Sequence, residues 1–147
     1  MANNYKKGDR DNRPWGTWEV LDSGDGFCVK RICVTPGNIL SLQSHDFRNE
    51  HWIIVSGEAV VTLGEDKIVK KAGENVFIPV KMKHRIQNNT DKNMEFIEVQ
   101  TGETLAARPK VEFEIGEMVR IKDGAFENFE GAIQEIDNER GKLKLMV

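Results

Sequence analysis

The chain has 147 residues, 39% of them apolar, with 21 Lys and Arg against 24 Asp and Glu for a net charge of −3. That length supports one well-buried core with about forty residues beyond it, and the composition excludes a disordered chain. Without a basic block or stripe there is no case for nucleic acid. With no apolar h-region in MANNYKKGDRDNRP and no run of bilayer length, there is none for a signal peptide or a membrane, so a cytoplasmic protein is expected.

In chain order, residues 1–12 read as a flexible polar arm. Trp15 and Trp18 follow as packing anchors, and WEVL (18–21) is the first predicted strand. FCVKRICV (27–34) is the second. Its two cysteines, Cys28 and Cys33, are an odd number of residues apart and face opposite ways, so they read as buried thiols rather than a shared metal site. Lys30 alternates with Ile32 and Val34, which points it inward as a base or phosphate contact; as an alternative it is an edge-strand lysine in solvent. ILSLQSH (39–45), HWIIVSG (51–57), EAVVTLG (58–64), DKIVKKA (66–72), NVFIPV (75–80), HRIQNN (84–89) and MEFIEVQ (94–100) complete the series. Turn segments rich in Gly, Pro, Asn and Asp separate them: SGDG, TPGN, GED, AGEN and NNTDKN. Many short strands at regular spacing predict an all-β antiparallel sandwich or barrel. LAARPK is a linker, and 108–147 reads as further strands; from residue 109 onward six Lys and Arg stand against nine Asp and Glu.

The chemistry concentrates in SLQSHDFRNEHW (41–52) and around His84. Residues two apart on a strand share a face, so Gln43 and His45 leave one strand side by side, with Glu50 opening the adjoining strand and His84 arriving from elsewhere. Two nitrogen and two oxygen donors converging in a small barrel suit a divalent transition metal with positions left open for water or substrate. His51 has the opposite parity to Glu50 and faces the outer sheet, whereas Trp52 shares Glu50's parity and lines the pocket or core.

Two series of residues, Gly37–Gln43–His45–Glu50–Gly57 and Gly73–Pro79–His84–Asn88, resemble the paired motifs of the cupins. RPWGTWEVLD, VKRICVTPG, LSLQSH, EHWIIVSGEAVVTLG, FIPVKMKHRIQN and IEVQTGE more closely resemble the C-terminal cupin of type II phosphomannose isomerases, the bifunctional mannose-6-phosphate isomerase/mannose-1-phosphate guanylyltransferases. The resemblance implies an RmlC-like jelly-roll β-barrel over residues 13–107. It also implies interconversion of mannose 6-phosphate and fructose 6-phosphate at a divalent ion held by Gln43, His45, Glu50 and His84. Zinc is the expected ion, with manganese, iron, cobalt and nickel as alternatives. Arg48 matches the family's arginine and is expected to hold phosphate or stabilise an enediolate. Asp46 and Phe47 stand where the family has histidines, Lys81 replaces a glycine, and both the nucleotidyltransferase domain and the family's acidic, arginine-bearing ending are missing from the text. Cupins commonly pair through outer strands, so a homodimer is expected, with Ile53 and Val55 as its apolar surface.

The tail, 113–147, is similar to part of the KOW domain at the C-terminus of the transcription factor NusG, and the join reads as a chimera. Two alternatives accompany the isomerase: a non-catalytic sugar-phosphate and metal binder or engineered scaffold, and an adaptor of transcription or translation working through the tail.

Overall fold

The apolar positions between residues 16 and 102 alternate, and a chain of that pattern buries one side of each strand. A computed structural model, which describes residues 5–103, 105 and 110–112, shows eleven strands and no helix among them. They are β1 (Arg10–Arg13), β2 (Gly16–Gly24), β3 (Phe27–Val34), β4 (Leu42–Ser44), β5 (Arg48–Ser56), β6 (Glu58–Leu63), β7 (Asp66–Lys71), β8 (Asn75–Ile78), β9 (His84–Gln87), β10 (Met94–Gly102) and β11 (Lys110–Glu112). Two compact units divide the chain, Met1–Lys110 and Val111–Val147, and β11 falls at their boundary. The KOW-like reading of 113–147 lies outside the described residues.

Within the first unit one sheet runs β1–β2–β3–β10–β5–β8 and the other β4–β9–β6–β7, with antiparallel pairing throughout. This is the expected all-β jelly roll. Ile32, Val34, Trp52, Ile54, Val61, Ile86, Met94 and Phe96 form its core. Each large apolar side chain buried there contributes about 1.5–3 kcal/mol.

The inward face is not apolar along its whole length. On β10 the buried positions run Met94, Phe96, Glu98, Gln100; on β5, Glu50, Trp52, Ile54; and on β3, Cys28, Lys30, Ile32, Val34. Register aligns the apolar ends (Phe96 with Ile32 and Ile54) and the polar ends (Glu98 with Lys30 and Trp52, Gln100 with Cys28 and Glu50). One end of the interior is hydrophobic core, and the other end is lined by buried polar and charged side chains.

Three expectations change. β1 lies in the stretch read as an arm; its exposure on both faces removes the alternation by which strands are recognised. Only Leu42–Ser44 of ILSLQSH forms a regular strand, because Ile39 makes an isolated bridge to Gln87 instead of extending it. β3 is flanked by β2 and β10, so Lys30 is not an edge residue. No helix among the described residues is long and apolar enough to cross a membrane.

Candidate metal centre

β4 and β9 put Gln43 directly opposite His84 in cross-strand register. Glu50 does not open a strand adjoining β4, as expected from the sequence. It belongs to β5 in the opposite sheet, so the two sheets bring the ligand types together from facing sides. His45, Glu50 and His84 each offer a ligand atom, and these atoms lie within 4.8 Å of one another. His45 Nε2 is 3.0 Å from Glu50 Oε2 and His84 Nε2 is 3.7 Å from Glu50 Oε1. All three side chains are buried.

The surroundings fix each ring and carboxylate. His84 Nδ1 lies 3.0 Å from the Met82 carbonyl, so Nδ1 carries the proton and Nε2 presents its lone pair inward. Trp52 Nε1 donates to Glu50 Oε1 at 3.0 Å and to Glu98 Oε1 at 3.1 Å. Arg48 Nε and Nη2 meet Glu50 Oε2 at 2.9 and 2.7 Å, and Nη2 is 3.1 Å from His45 Nε2. Gln43 Nε2 donates to Ser41 Oγ at 2.8 Å, which leaves the amide oxygen for a ligand.

The donor set suits a divalent ion. Burial lowers the pKa of His45, favouring the neutral imidazole that a metal requires. Burial alone would raise the Glu50 carboxyl. The hydrogen bond from His45 and the Arg48 charge outweigh that effect and hold the carboxyl well below the usual range. His45 Nδ1 is buried without a hydrogen-bond partner among the described residues. Gln43, Arg48, Glu50, Trp52, His84 and Glu98 share one cavity of about 40 Å³, room for an ion and about one water.

Lys30 faces inward and is buried, but its ammonium sits 3.9 Å from the Tyr5 ring centroid and 4.7 Å from that of Trp18, and it does not line the cavity. His51 is on the outer face, 3.1 Å from Asn75 Oδ1, and Trp52 is buried. Cys28 and Cys33 are free thiols, Cys28 buried and Cys33 partly so. Phe47 is 55% exposed. Lys81 is the one non-glycine residue with a positive φ among the described residues, at 70°, a conformation costing an L side chain about 1–2 kcal/mol.

Glu98 and Gln100 went unremarked in the sequence. Their signal was parity: both fall on the core side of MEFIEVQ, where a polar residue marks a buried polar site. Burial, with the Glu50 charge beside it, raises the Glu98 pKa to about 7. The folded protein therefore binds this proton more tightly than the unfolded chain. The associated stability is fully present below the ordinary value of 4.5 and is lost as pH rises to about 7. In metal-stripped protein, Glu98→Gln is expected to gain on the order of 3 kcal/mol relative to wild type between pH 4.5 and 7. Urea unfolding at pH 5 and pH 8 checks this, and a difference that does not change with pH refutes it.

A family profile described as mannose-6-phosphate isomerase C-terminal matches residues 2–115. The chain is 46% identical over 102 residues to the xanthan biosynthesis protein XanB of Xanthomonas campestris pv. campestris, covering 69% of this chain and 22% of that protein. It is 43% identical over 104 residues to the mannose-1-phosphate guanylyltransferase of Salmonella muenchen, covering 71% and 22%. The chain thus spans about a fifth of the length of these curated relatives. Among solved structures, a cupin 2 conserved barrel domain protein of Salinispora arenicola superposes with a TM-score of 0.52 at 23% identity, over 57% of this chain and 73% of that one.

Proposed function

The chain belongs to the mannose-6-phosphate isomerase C-terminal family, and on that premise we propose that it is a divalent-metal isomerase domain interconverting mannose 6-phosphate and fructose 6-phosphate. One observation carries the reading: two buried histidines and a buried glutamate from facing sheets, with ligand atoms within 4.8 Å, beside Gln43. Gln43, His45, Glu50 and His84 would hold the ion, with zinc the expected one. When bound, such an ion polarises the carbonyl and hydroxyl oxygens of an open-chain sugar. Arg48, locked onto Glu50, supplies a fixed positive charge toward an enediolate. Glu98 presents a second carboxyl to the same space, where a proton carrier between C1 and C2 has to stand. Lys30, behind Glu98, adds positive potential without reaching the cavity.

Two copies would pair through the outer face of β5 and β8, where Ile53, Val55 and Phe77 are exposed.

The test is conversion of mannose 6-phosphate by protein loaded in turn with zinc, manganese, iron, cobalt and nickel, with sedimentation of the same material reading the pairing. Product is expected with at least one ion. Arg48→Gln is expected to lower kcat/KM about a hundredfold. The second reading, a binder without turnover, is favoured by the small cavity and by Phe47, exposed where the resemblance expects a histidine. Retained metal and retained mannose 6-phosphate with no product would establish it and end the isomerase proposal.

A further inference from the structure

We propose that Lys81, on the turn abutting both candidate histidine ligands, takes the phosphoryl group of the substrate; this rests on the sugar-phosphate reading of the site. The turn 79–82 joins β8 to β9 and touches the centre through its backbone. Lys81 N donates to the His45 carbonyl at 2.6 Å, and the Met82 carbonyl receives His84 Nδ1 at 3.0 Å. Val80 N donates to Asn49 Oδ1 at 2.9 Å, tying the turn to the first residues of β5, where Arg48 stands. Any residue with a backbone N–H serves these contacts, and glycine or asparagine would serve them without the strain of φ 70°. Backbone geometry therefore argues against lysine at this place, and what lysine adds is its side chain.

That side chain is exposed, and its ammonium has no ion pair among the described residues. The other cations near the centre are engaged: Arg48 with Glu50, Lys30 over Tyr5 and Trp18, and Arg85 Nε donating to the Leu40 carbonyl at 2.9 Å. A cavity of about 40 Å³ cannot enclose a hexose phosphate, so the phosphoryl group has to be met outside it. An ammonium on a flexible stem, fixed at its root beside both ligands, suits a phosphate dianion as a point charge.

Lys81→Gly and Lys81→Asn both accept a positive φ, and Lys81→Arg keeps the charge. Metal-loaded wild type and variants would be titrated with inorganic phosphate and mannose 6-phosphate and assayed for turnover, with zinc affinity and Tm as controls. The Gly and Asn variants are expected to melt at or above wild type and to keep zinc affinity. They should bind phosphate about tenfold more weakly and raise KM about tenfold with kcat little changed, while Arg restores binding. Unchanged phosphate affinity in Gly and Asn overturns the proposal, and so does zinc affinity falling in step, which would make the turn a support for the histidines only. Turnover with unchanged phosphate affinity removes Lys81 and leaves the isomerase. Phosphate binding lost with Lys81 in a protein that never turns over keeps Lys81 and removes the isomerase. A wild type that binds neither phosphate nor mannose 6-phosphate and shows no turnover removes both.

Discussion

Glu50→Ala is expected to yield a protein that retains no divalent ion after dialysis and is about 3–5 kcal/mol less stable than metal-stripped wild type. The two effects have separate causes. Glu50 is the only carboxylate of the three-residue cluster, so its loss leaves two neutral imidazoles and an amide, a donor set with no charge to offset dehydration of a cation. The stability loss comes from Arg48, whose side chain is only 10% exposed and whose Nε and Nη2 both bond Glu50 Oε2; without the carboxylate, a largely buried guanidinium is left without its counter-charge. His84→Ala should lose the ion equally but keep the Arg48–Glu50 pair, and so unfold closer to wild type. Metal content after dialysis and urea unfolding of the stripped proteins read the two effects independently. If Glu50→Ala holds one ion per chain with wild-type affinity, these residues are not the metal centre.

Much of this centre was legible in the sequence because its determinants are local. Strand parity separated His51 from Trp52 and turned Lys30 inward, and those three residues face as that parity requires, whereas His45 falls beyond the end of β4, where parity no longer decides. The convergence of Gln43, His45, Glu50 and His84 came from spacing and family resemblance, and the structure brings His45, Glu50 and His84 within reach of one ion, with Gln43 lining the same cavity.

Long-range pairing was not legible. That Glu50 comes from the sheet opposite β4 depends on β5 choosing β10 and β8 as neighbours, a choice that local pattern does not encode. For the same reason Lys30 carried two readings, since edge or interior is a property of the assembled sheet. The caging of its ammonium by Tyr5 and Trp18 needs a segment 25 residues upstream to pack alongside β2, where Gly8 N donates to the Val20 carbonyl and Val20 N to that of Asp9. β1 escaped notice because an edge strand exposed on both faces has no apolar period to read.

Gly102→Ala should damage the centre from a distance in sequence, through backbone alone. Gly102 ends β10 opposite Arg48, with φ at 157°. A Cβ there would overlap the Phe47 carbonyl oxygen and come within 2.8 Å of Arg48 Cα and 3.1 Å of its Cβ. No flexible side-chain tip can yield, so the Phe47–Arg48 backbone must retreat from β10 and draw the guanidinium off Glu50 and His45. Overpacking together with the conformational penalty is expected to cost about 4 kcal/mol, and metal affinity should fall at least about tenfold. Gly73→Ala is the control: its φ is 89°, but an added Cβ meets nothing within 4 Å. It should lose only about 1–2 kcal/mol to backbone strain and bind metal as wild type does. Urea unfolding and metal titration of the pair separate crowding at Arg48 from the general cost of a side chain at positive φ. Equal losses in both variants, with metal affinity intact, would mean that the 47–48 backbone yields without moving Arg48, and that the guanidinium is held by Glu50 rather than by its strand.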